Sequence, residues 1–200
     1  TNRVEDYLRV AIQKWYAPRL NNVAYPYGAY LSACINGQKI KVSEMLPLFR
    51  YVREFYIKAL GKTLDDDSLI KEEGVAEGEQ LYEESIDLRG VLNATSSGKF
   101  VYARLSRKQL QMEPPLNNKS PYQQITNMPV QMEGGNGPII MYTRRPGMIV
   151  GYDYDSTWTH RMPKSGPDDY IIGLFVANSA NTLKNITCLL YTSPSPRDRG

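Results

Sequence analysis

Antiparallel strand pairing is predicted at several places in this sequence, and residues 139–152 are one of them. That stretch reads Ile139-Ile140-Met141-Tyr142-Thr143-Arg144-Arg145-Pro146-Gly147-Met148-Ile149-Val150-Gly151-Tyr152. Two runs rich in β-branched and aromatic residues flank a Pro-Gly pair, which favours a type II turn because proline fixes φ and glycine accepts a positive φ. We therefore predict two antiparallel strands, over 139–143 and 148–152.

A second hairpin is predicted over residues 29–42, centred on Asn36-Gly37. Asn-Gly between two alternating runs favours a type I′ turn, because both central residues of that turn have positive φ. Further strands are expected over 86–92, 100–105 and 170–176. The last of these is nearly all apolar, which is typical of a strand covered on both faces.

Two amphipathic helices are predicted in the first third of the chain, over 2–16 and 44–60. An apolar stripe at three- and four-residue steps is typical of the side of a helix that faces a core. The first stripe consists of Val4, Tyr7, Leu8, Ala11 and Trp15. The second consists of Met45, Phe49, Val52, Tyr56 and Ala59. We expect Ser43 to cap the second helix and Gly61 to end it.

The order of these elements predicts the α+β class. Helices come early and strands are paired by tight turns, so we expect a mostly antiparallel sheet built from hairpins, with two or three helices packed on it. The length of 200 residues allows one domain, or one domain and a small second one. The polar, acidic stretch 62–85 is where a subdivision would fall.

Composition excludes several classes of protein. A net charge of +3 is too balanced to indicate nucleic-acid binding by itself. No apolar run approaches the roughly 20 residues that a membrane span needs, so we expect no membrane partner. Two cysteines are too few for a disulfide framework. If Cys188 belongs to a non-native tail, as argued next, Cys34 has no natural disulfide partner, which favours a reducing, cytoplasmic location.

The last residues differ in character from the rest of the chain. Residues 188–198 resemble the translation of a sequencing adapter read through in one frame, and the alternative is a natural Ser/Pro-rich tail. On the adapter interpretation, 188–200 form a non-native tail. Residues 1–187 are then a single α+β domain, part of a longer protein.

Arg144 and Arg145 are the candidate anion-contacting residues. Two forked guanidinium groups at the tip of a rigid turn could reach a phosphate or a carboxylate. The alternative is a solvated turn, or charge that discourages edge pairing.

Other candidate sites have less support. Asp153 and Asp155 are two residues apart in a strand-like stretch and would face one side, as a paired-carboxylate site requires. His160 has no partner in a local motif, and Asp65-Asp66-Asp67 lack the spacing of a cation-binding loop. No catalytic or metal site is therefore predicted.

A family resemblance rests on the order of several short stretches. An aromatic pair, Trp15-Tyr16, ends the first helix. Three segments then follow: Ser32-Ala33-Cys34-Ile35-Asn36-Gly37-Gln38-Lys39-Ile40, the turn segment 142–150, and Gly173-Leu174-Phe175-Val176-Ala177-Asn178-Ser179. This order resembles the segment downstream of the ATPase domain in bacterial GHKL-type ATP-binding proteins, the class that includes gyrase, heat-shock chaperones, histidine kinases and MutL.

The resemblance implies a transducer or middle segment that relays nucleotide state to a DNA or protein effector. ATP and Mg would then lie in an upstream ATPase domain of the same chain, and this fragment would hold no cofactor. In the wider superfamily a transducer often supplies one basic residue to the terminal phosphate. The alternative is a self-contained module that binds carbohydrate or a protein partner through the loop 112–137 and exposed tyrosines. A hydrolase using Asp153 and Asp155 is a third hypothesis.

Overall fold

The computed structural model describes residues 3–20, 31–64, 68–72, 81–87, 97–106, 108–110, 138–144, 147–153 and 169–177. The helices are α1 (Arg3–Tyr16), α2 (Pro47–Ala59) and α3 (Leu69–Glu72), and short 3-10 turns span Ala17–Arg19 and Val42–Glu44. The strands are β1 (Cys34–Ile35), β2 (Gln38–Lys39), β3 (Leu81–Asp87), β4 (Ser97–Ser106), β5 (Ile139–Arg144), β6 (Met148–Asp153) and β7 (Asp169–Ala177).

The main sheet has five strands in the order β3-β4-β7-β5-β6. Strand β4 is antiparallel to both β3 and β7, and β5 is antiparallel to β6. Strands β5 and β7 are parallel. The α+β class and the mostly antiparallel sheet are therefore confirmed. The parallel pair was not predicted, because no tight turn dictates which strand lies beside β7.

Helix α2 lies at the centre of the core. Every residue of α2 except Arg50 and Lys58 is buried, and the helix packs against β4 and β7. The sheet residues on that side are wholly or almost wholly buried and include Val101, Ala103, Leu105, Ile172 and Leu174. The predicted apolar stripe of α2 is confirmed, and the burial extends around most of the helix.

The backbone groups at the two ends of α2 find their hydrogen-bond partners in different ways. At the start, the side chain of Gln13 accepts a hydrogen bond from the backbone N–H of Leu46 at 2.9 Å. Ser43 lies in the preceding 3-10 turn, so its predicted capping role is wrong, because α2 begins later, at Pro47. At the other end Gly61 has a φ of 67°, and Lys62 N–H donates to the carbonyl of Ile57, which completes a Schellman motif. Gly61 therefore ends α2 as predicted.

Helix α1 packs through the side opposite to its apolar stripe. Gln13 is buried, and Val10, Ile12 and Tyr16 pack against the core. The large members of the predicted stripe are exposed instead: Val4, Tyr7, Leu8 and Trp15. The prediction that this stripe faces the core is therefore wrong. On the packed side, Gln13 accepts its hydrogen bond from Leu46, the residue before α2, and this long-range contact is not visible in the helical spacing.

The predicted and observed strand boundaries differ most at β3. Strand β3 begins at Leu81, whereas the sequence predicted a start at Ile86, and residues 88–92 lie outside the described part of the chain. The acidic residues Glu83 and Glu84 are accommodated because they are exposed on this strand, which has no second strand neighbour among the described residues. Elsewhere, the Asn36-Gly37 turn has φ values of 50° and 77°, which confirms the type I′ hairpin between β1 and β2.

The sheet face turned away from α2 carries a second, smaller apolar cluster. Phe175 and Ala177 are buried there. The partly buried members of this outer-face cluster are Ile86, Phe100, Tyr142 and Val150. Among the described residues, no helix is long and apolar enough to cross a membrane.

Candidate anion-binding site

The tip of the β5–β6 hairpin packs against the 3-10 turn after α1 and against α2. Gly147 has a φ of 92°, and a Cβ atom added to it would lie 3.0 Å from Cγ of Arg19 and 3.1 Å from Cζ of Tyr56. The hydroxyl of Thr143 donates to the carbonyl of Met148 at 2.9 Å and links the two strands at the turn. Glycine therefore allows both the backbone conformation and the close approach to Arg19.

The predicted arginines belong to this tip. The backbone of Arg144 pairs with Met148 at the last position of β5. Arg145 and Pro146 lie outside the described residues, while the positive φ of Gly147 agrees with the predicted type II turn. The structure thus places the backbone of Arg144 opposite Met148, which follows Gly147, the residue next to Arg19.

Arg19 contacts this tip, and Arg53 of α2 contacts the residue that follows Arg19. Arg53 is only 3% exposed, and its Nε donates to the carbonyl of Leu20 at 3.0 Å. Leu20 is the residue directly after Arg19 in the chain. Nε of Arg19 is buried and has no hydrogen-bond acceptor among the described residues. We call Arg19 and Arg53, with the backbone of Thr143, Arg144, Gly147 and Met148, the arginine site. Sequence analysis missed both residues, although Arg53 in the middle of an otherwise largely apolar helix was a visible signal.

The buried carboxylate next to Arg53 in sequence has a different role. Glu54 accepts hydrogen bonds at 2.9 Å from Ser68 Oγ and from the backbone N–H groups of Leu69 and Ile70. Burial raises the pKa of Glu54, while these hydrogen bonds and the charge of Arg50 act in the opposite direction. Glu54 therefore holds the start of α3 against α2, and its oxygens are already occupied by donors.

Asp153 is held by an aromatic neighbour. Its carboxylate interacts with the hydroxyl of Tyr142, and burial followed by the charge and hydrogen bond of Asp153 raises the pKa of Tyr142 to about 12. Asp155 lies outside the described residues, so the carboxylate pair of Asp153 and Asp155 stays a prediction. Asp153 acts here as an acceptor for a phenol.

Several predicted features fall outside the described residues. They are His160, Asp65-Asp66-Asp67, the loop 112–137 and the tail 188–200. Within the described ranges, no group of three or more metal-ligating side chains is arranged to hold an ion.

Comparisons with family models, with curated proteins and with solved structures found no match for this chain. The arginine site is therefore interpreted from its own geometry, and the resemblance to GHKL-type proteins stays a prediction.

Proposed function

We propose that this chain is an anion-binding module whose arginine site takes a phosphate group of a ligand. Arg19 carries the proposal: its Nε is buried without a described acceptor, while its aliphatic stem contacts Gly147 at the hairpin tip. A buried N–H donor without an acceptor costs about 1–3 kcal/mol. A bound oxyanion would remove that cost.

The surroundings of Arg19 favour an anion over a neutral ligand. Arg53 adds a second positive charge from α2, and its guanidinium is oriented by the carbonyl of Leu20. The nearest carboxylate along α2, that of Glu54, is occupied by three donors from α3. Guanidinium groups bind phosphate and carboxylate oxygens through paired hydrogen bonds, which are stronger than neutral ones.

The proposed module fits the transducer role that the resemblance implies. The anion is then the terminal phosphate of ATP held by an upstream ATPase domain of the same cytoplasmic protein. Gly147 packs on Tyr56 of α2, and α2 packs on β4 and β7, so a change at the tip would reach the sheet through a continuous core. A DNA or protein effector would receive that change.

The first experiment measures binding of inorganic phosphate, pyrophosphate and ATP to the whole chain by calorimetry. We expect pyrophosphate or ATP to bind, and Arg19→Met to weaken that binding by roughly tenfold or more. Arg144→Ala and Arg145→Ala should weaken it in the same direction. Arg3→Met is the matched control, because Arg3 is exposed on α1 away from the tip. Equal affinity in the Arg19 and Arg3 variants would contradict the proposal.

A second candidate function, carbohydrate binding, is favoured by the outer-face cluster. The rings of Phe100 and Tyr102 are stacked, with centroids 5.1 Å apart and 25° between planes. Phe100 lies over Gly173, where a Cβ atom would come within 2.7 Å of its ring, so the ring lies flat on the sheet. The hydroxyl of Tyr102 donates to Glu84 at 3.1 Å. Flat rings beside carboxylates suit a neutral sugar, because carboxylates accept hydroxyl hydrogen bonds and repel polyanions.

Affinity electrophoresis on neutral polysaccharides tests this second candidate. We expect Tyr102→Ala to abolish retardation and Tyr7→Ala, an exposed aromatic residue on α1, to leave it unchanged. A wild-type chain that migrates freely through every neutral polysaccharide would exclude the carbohydrate hypothesis.

A further inference from the structure

The outer face of the main sheet, turned away from α2, carries an aromatic side chain at the same level of three neighbouring strands. Phe100 of β4 is the direct cross-strand partner of Phe175 of β7, and Phe175 is in turn the partner of Tyr142 of β5. Side chains of direct partners lie on one face of a sheet. The three rings therefore form a line that crosses the strands, which we call the aromatic row.

Glycines beside the aromatic row let its rings lie along the sheet. A Cβ atom added to Gly98 would lie 2.6 Å from Cε2 of Phe175, and one added to Gly173 would lie 2.7 Å from Cζ of Phe100. Phe175 is only 5% exposed, whereas Phe100 and Tyr142 on either side of it are partly exposed. The row therefore offers two ring positions to a ligand, on strands that are two spacings apart, or about 10 Å.

A phenol hydrogen-bonded to a carboxylate lies at each end of the aromatic row. The hydroxyl of Tyr102, whose ring stacks on Phe100, donates to Glu84 at 3.1 Å, and the hydroxyl of Tyr142 donates to Asp153. A carboxylate has about four acceptor sites, and each phenol oxygen also accepts. Both ring positions thus have hydrogen-bond acceptors beside them.

We propose that the aromatic row binds an extended chain of β-linked glucose units that runs across the strands, with alternate sugar rings stacked on Phe100 and Tyr142. This inference rests on the carbohydrate-binding hypothesis and adds the linkage class and the direction of the ligand. A disaccharide unit of such an extended chain has a length close to the separation of the two positions. All ring substituents of β-linked glucose are equatorial, so both faces of each sugar ring present C–H groups to an aromatic ring.

The polar groups around the row favour a sugar chain over an apolar protein surface. An apolar partner would bury Glu84 and Asp153 without donors, which is costly, whereas sugar hydroxyls supply those donors. Arg104 is exposed two residues beyond Tyr102, on the same side of β4, and brings donors for sugar oxygens. An α-linked glucose chain coils, so its rings do not follow a straight row.

Calorimetric titration of the whole chain with cellobiose, cellotetraose and maltotetraose tests this inference. We expect cellotetraose to bind at least about tenfold more tightly than cellobiose, because only the longer chain reaches both positions. Maltotetraose, which is α-linked, should bind no more tightly than cellobiose. Failure of cellotetraose to bind, or equal affinity for it and either other sugar, would overturn the inference. The carbohydrate hypothesis itself falls only if electrophoresis also shows no retardation.

Tyr142→Leu tests the second ring position, because it keeps an apolar side chain and removes the aromatic ring. We expect its affinity for cellotetraose to fall to that for cellobiose, while retained cellobiose binding shows that the variant is folded. Tyr7→Leu, at an exposed aromatic residue of α1, is the matched control and should keep the preference for cellotetraose. The same preference in Tyr142→Leu would overturn the inference. The comparison of sugar lengths in the wild type decides the question even if this variant does not fold.

Discussion

At the scale of single residues, the hairpin tip depends on Gly147. Its φ of 92° lies in the region that side-chain-bearing residues rarely adopt, and its neighbours Arg19 and Tyr56 leave little room for a Cβ atom. Gly37 also has a positive φ, of 77°, but open space around its Cα. Comparing substitutions at the two glycines therefore separates the cost of backbone strain from the cost of steric contact.

We predict that Gly147→Ala lowers the free energy of unfolding by about 2–4 kcal/mol, because strain and contact add. Gly37→Ala should cost about 1 kcal/mol, since only strain is introduced. Gly151→Ala is the control, with ordinary φ and its nearest neighbour, Tyr142, 4.0 Å from the added Cβ. Urea denaturation measures all three, and equal losses at 147 and 37 would show that the packing on Arg19 contributes nothing.

A substitution at Ser68 tests the structural role assigned to the buried carboxylate of Glu54. Its hydroxyl donates to Glu54 at 2.9 Å inside the core. Removing a hydrogen bond to a buried charged group costs about 1.5–3 kcal/mol, so Ser68→Ala should lower the unfolding free energy by that amount. Ser43→Ala, at an exposed site, should change it by less than about 0.5 kcal/mol. Similar values for the two variants would contradict the role assigned to Glu54.

At the scale of elements, α2 and α3 are joined by one ionisable group, which makes their packing dependent on pH. The pKa of Glu54 is raised above its ordinary value of 4.5, mainly by burial. The folded state then binds the proton more tightly than the unfolded state. The contribution of Glu54 to stability therefore falls as pH rises from 4.5 through the raised pKa.

We predict that the stability advantage of the wild type over Glu54→Gln shrinks as pH rises from 4.5 to 7.5. Glutamine does not titrate, so the difference between the two unfolding free energies isolates the proton on Glu54. Glu44→Gln is the control, because Glu44 is exposed. A difference that grows with pH would mean that hydrogen bonding outweighs burial at this carboxylate.

At the scale of the whole molecule, the arginine site lies where α2 and the 3-10 turn meet the β5–β6 tip. Helix α1 adjoins the same hairpin, because its last residues contact β6: the hydroxyl of Tyr152 donates to the carbonyl of Lys14, and Trp15 packs edge-on against Tyr152.

We expect Arg19→Met to weaken phosphate binding while the melting temperature stays unchanged. Calorimetry and thermal melting on the same protein provide the measurement. Weaker binding that comes with a lower melting temperature would show that Arg19 acts through the fold instead.

Local chain chemistry was enough to predict the turns and most element positions. Asn36-Gly37 and Gly61 act through their own backbone conformations, and the runs rich in β-branched and aromatic residues in β5, β6 and β7 favour extended chain. The hairpin tip with Arg144 was also found from sequence, because a Pro-Gly turn is a local signal. These features depend on residues that are close together along the chain.

Long-range packing decided the remainder. The pairing of β5 with β7, the burial of Gln13 in place of the apolar stripe of α1, and the meeting of Arg19 with Gly147 all join segments far apart in sequence. Glu54 finds its donors in α3 for the same reason. Each of these contacts depends on which two surfaces of the chain are buried against each other. The free energy of burial is gained only when both surfaces are brought together in the folded chain, so the sequence of one segment does not determine it.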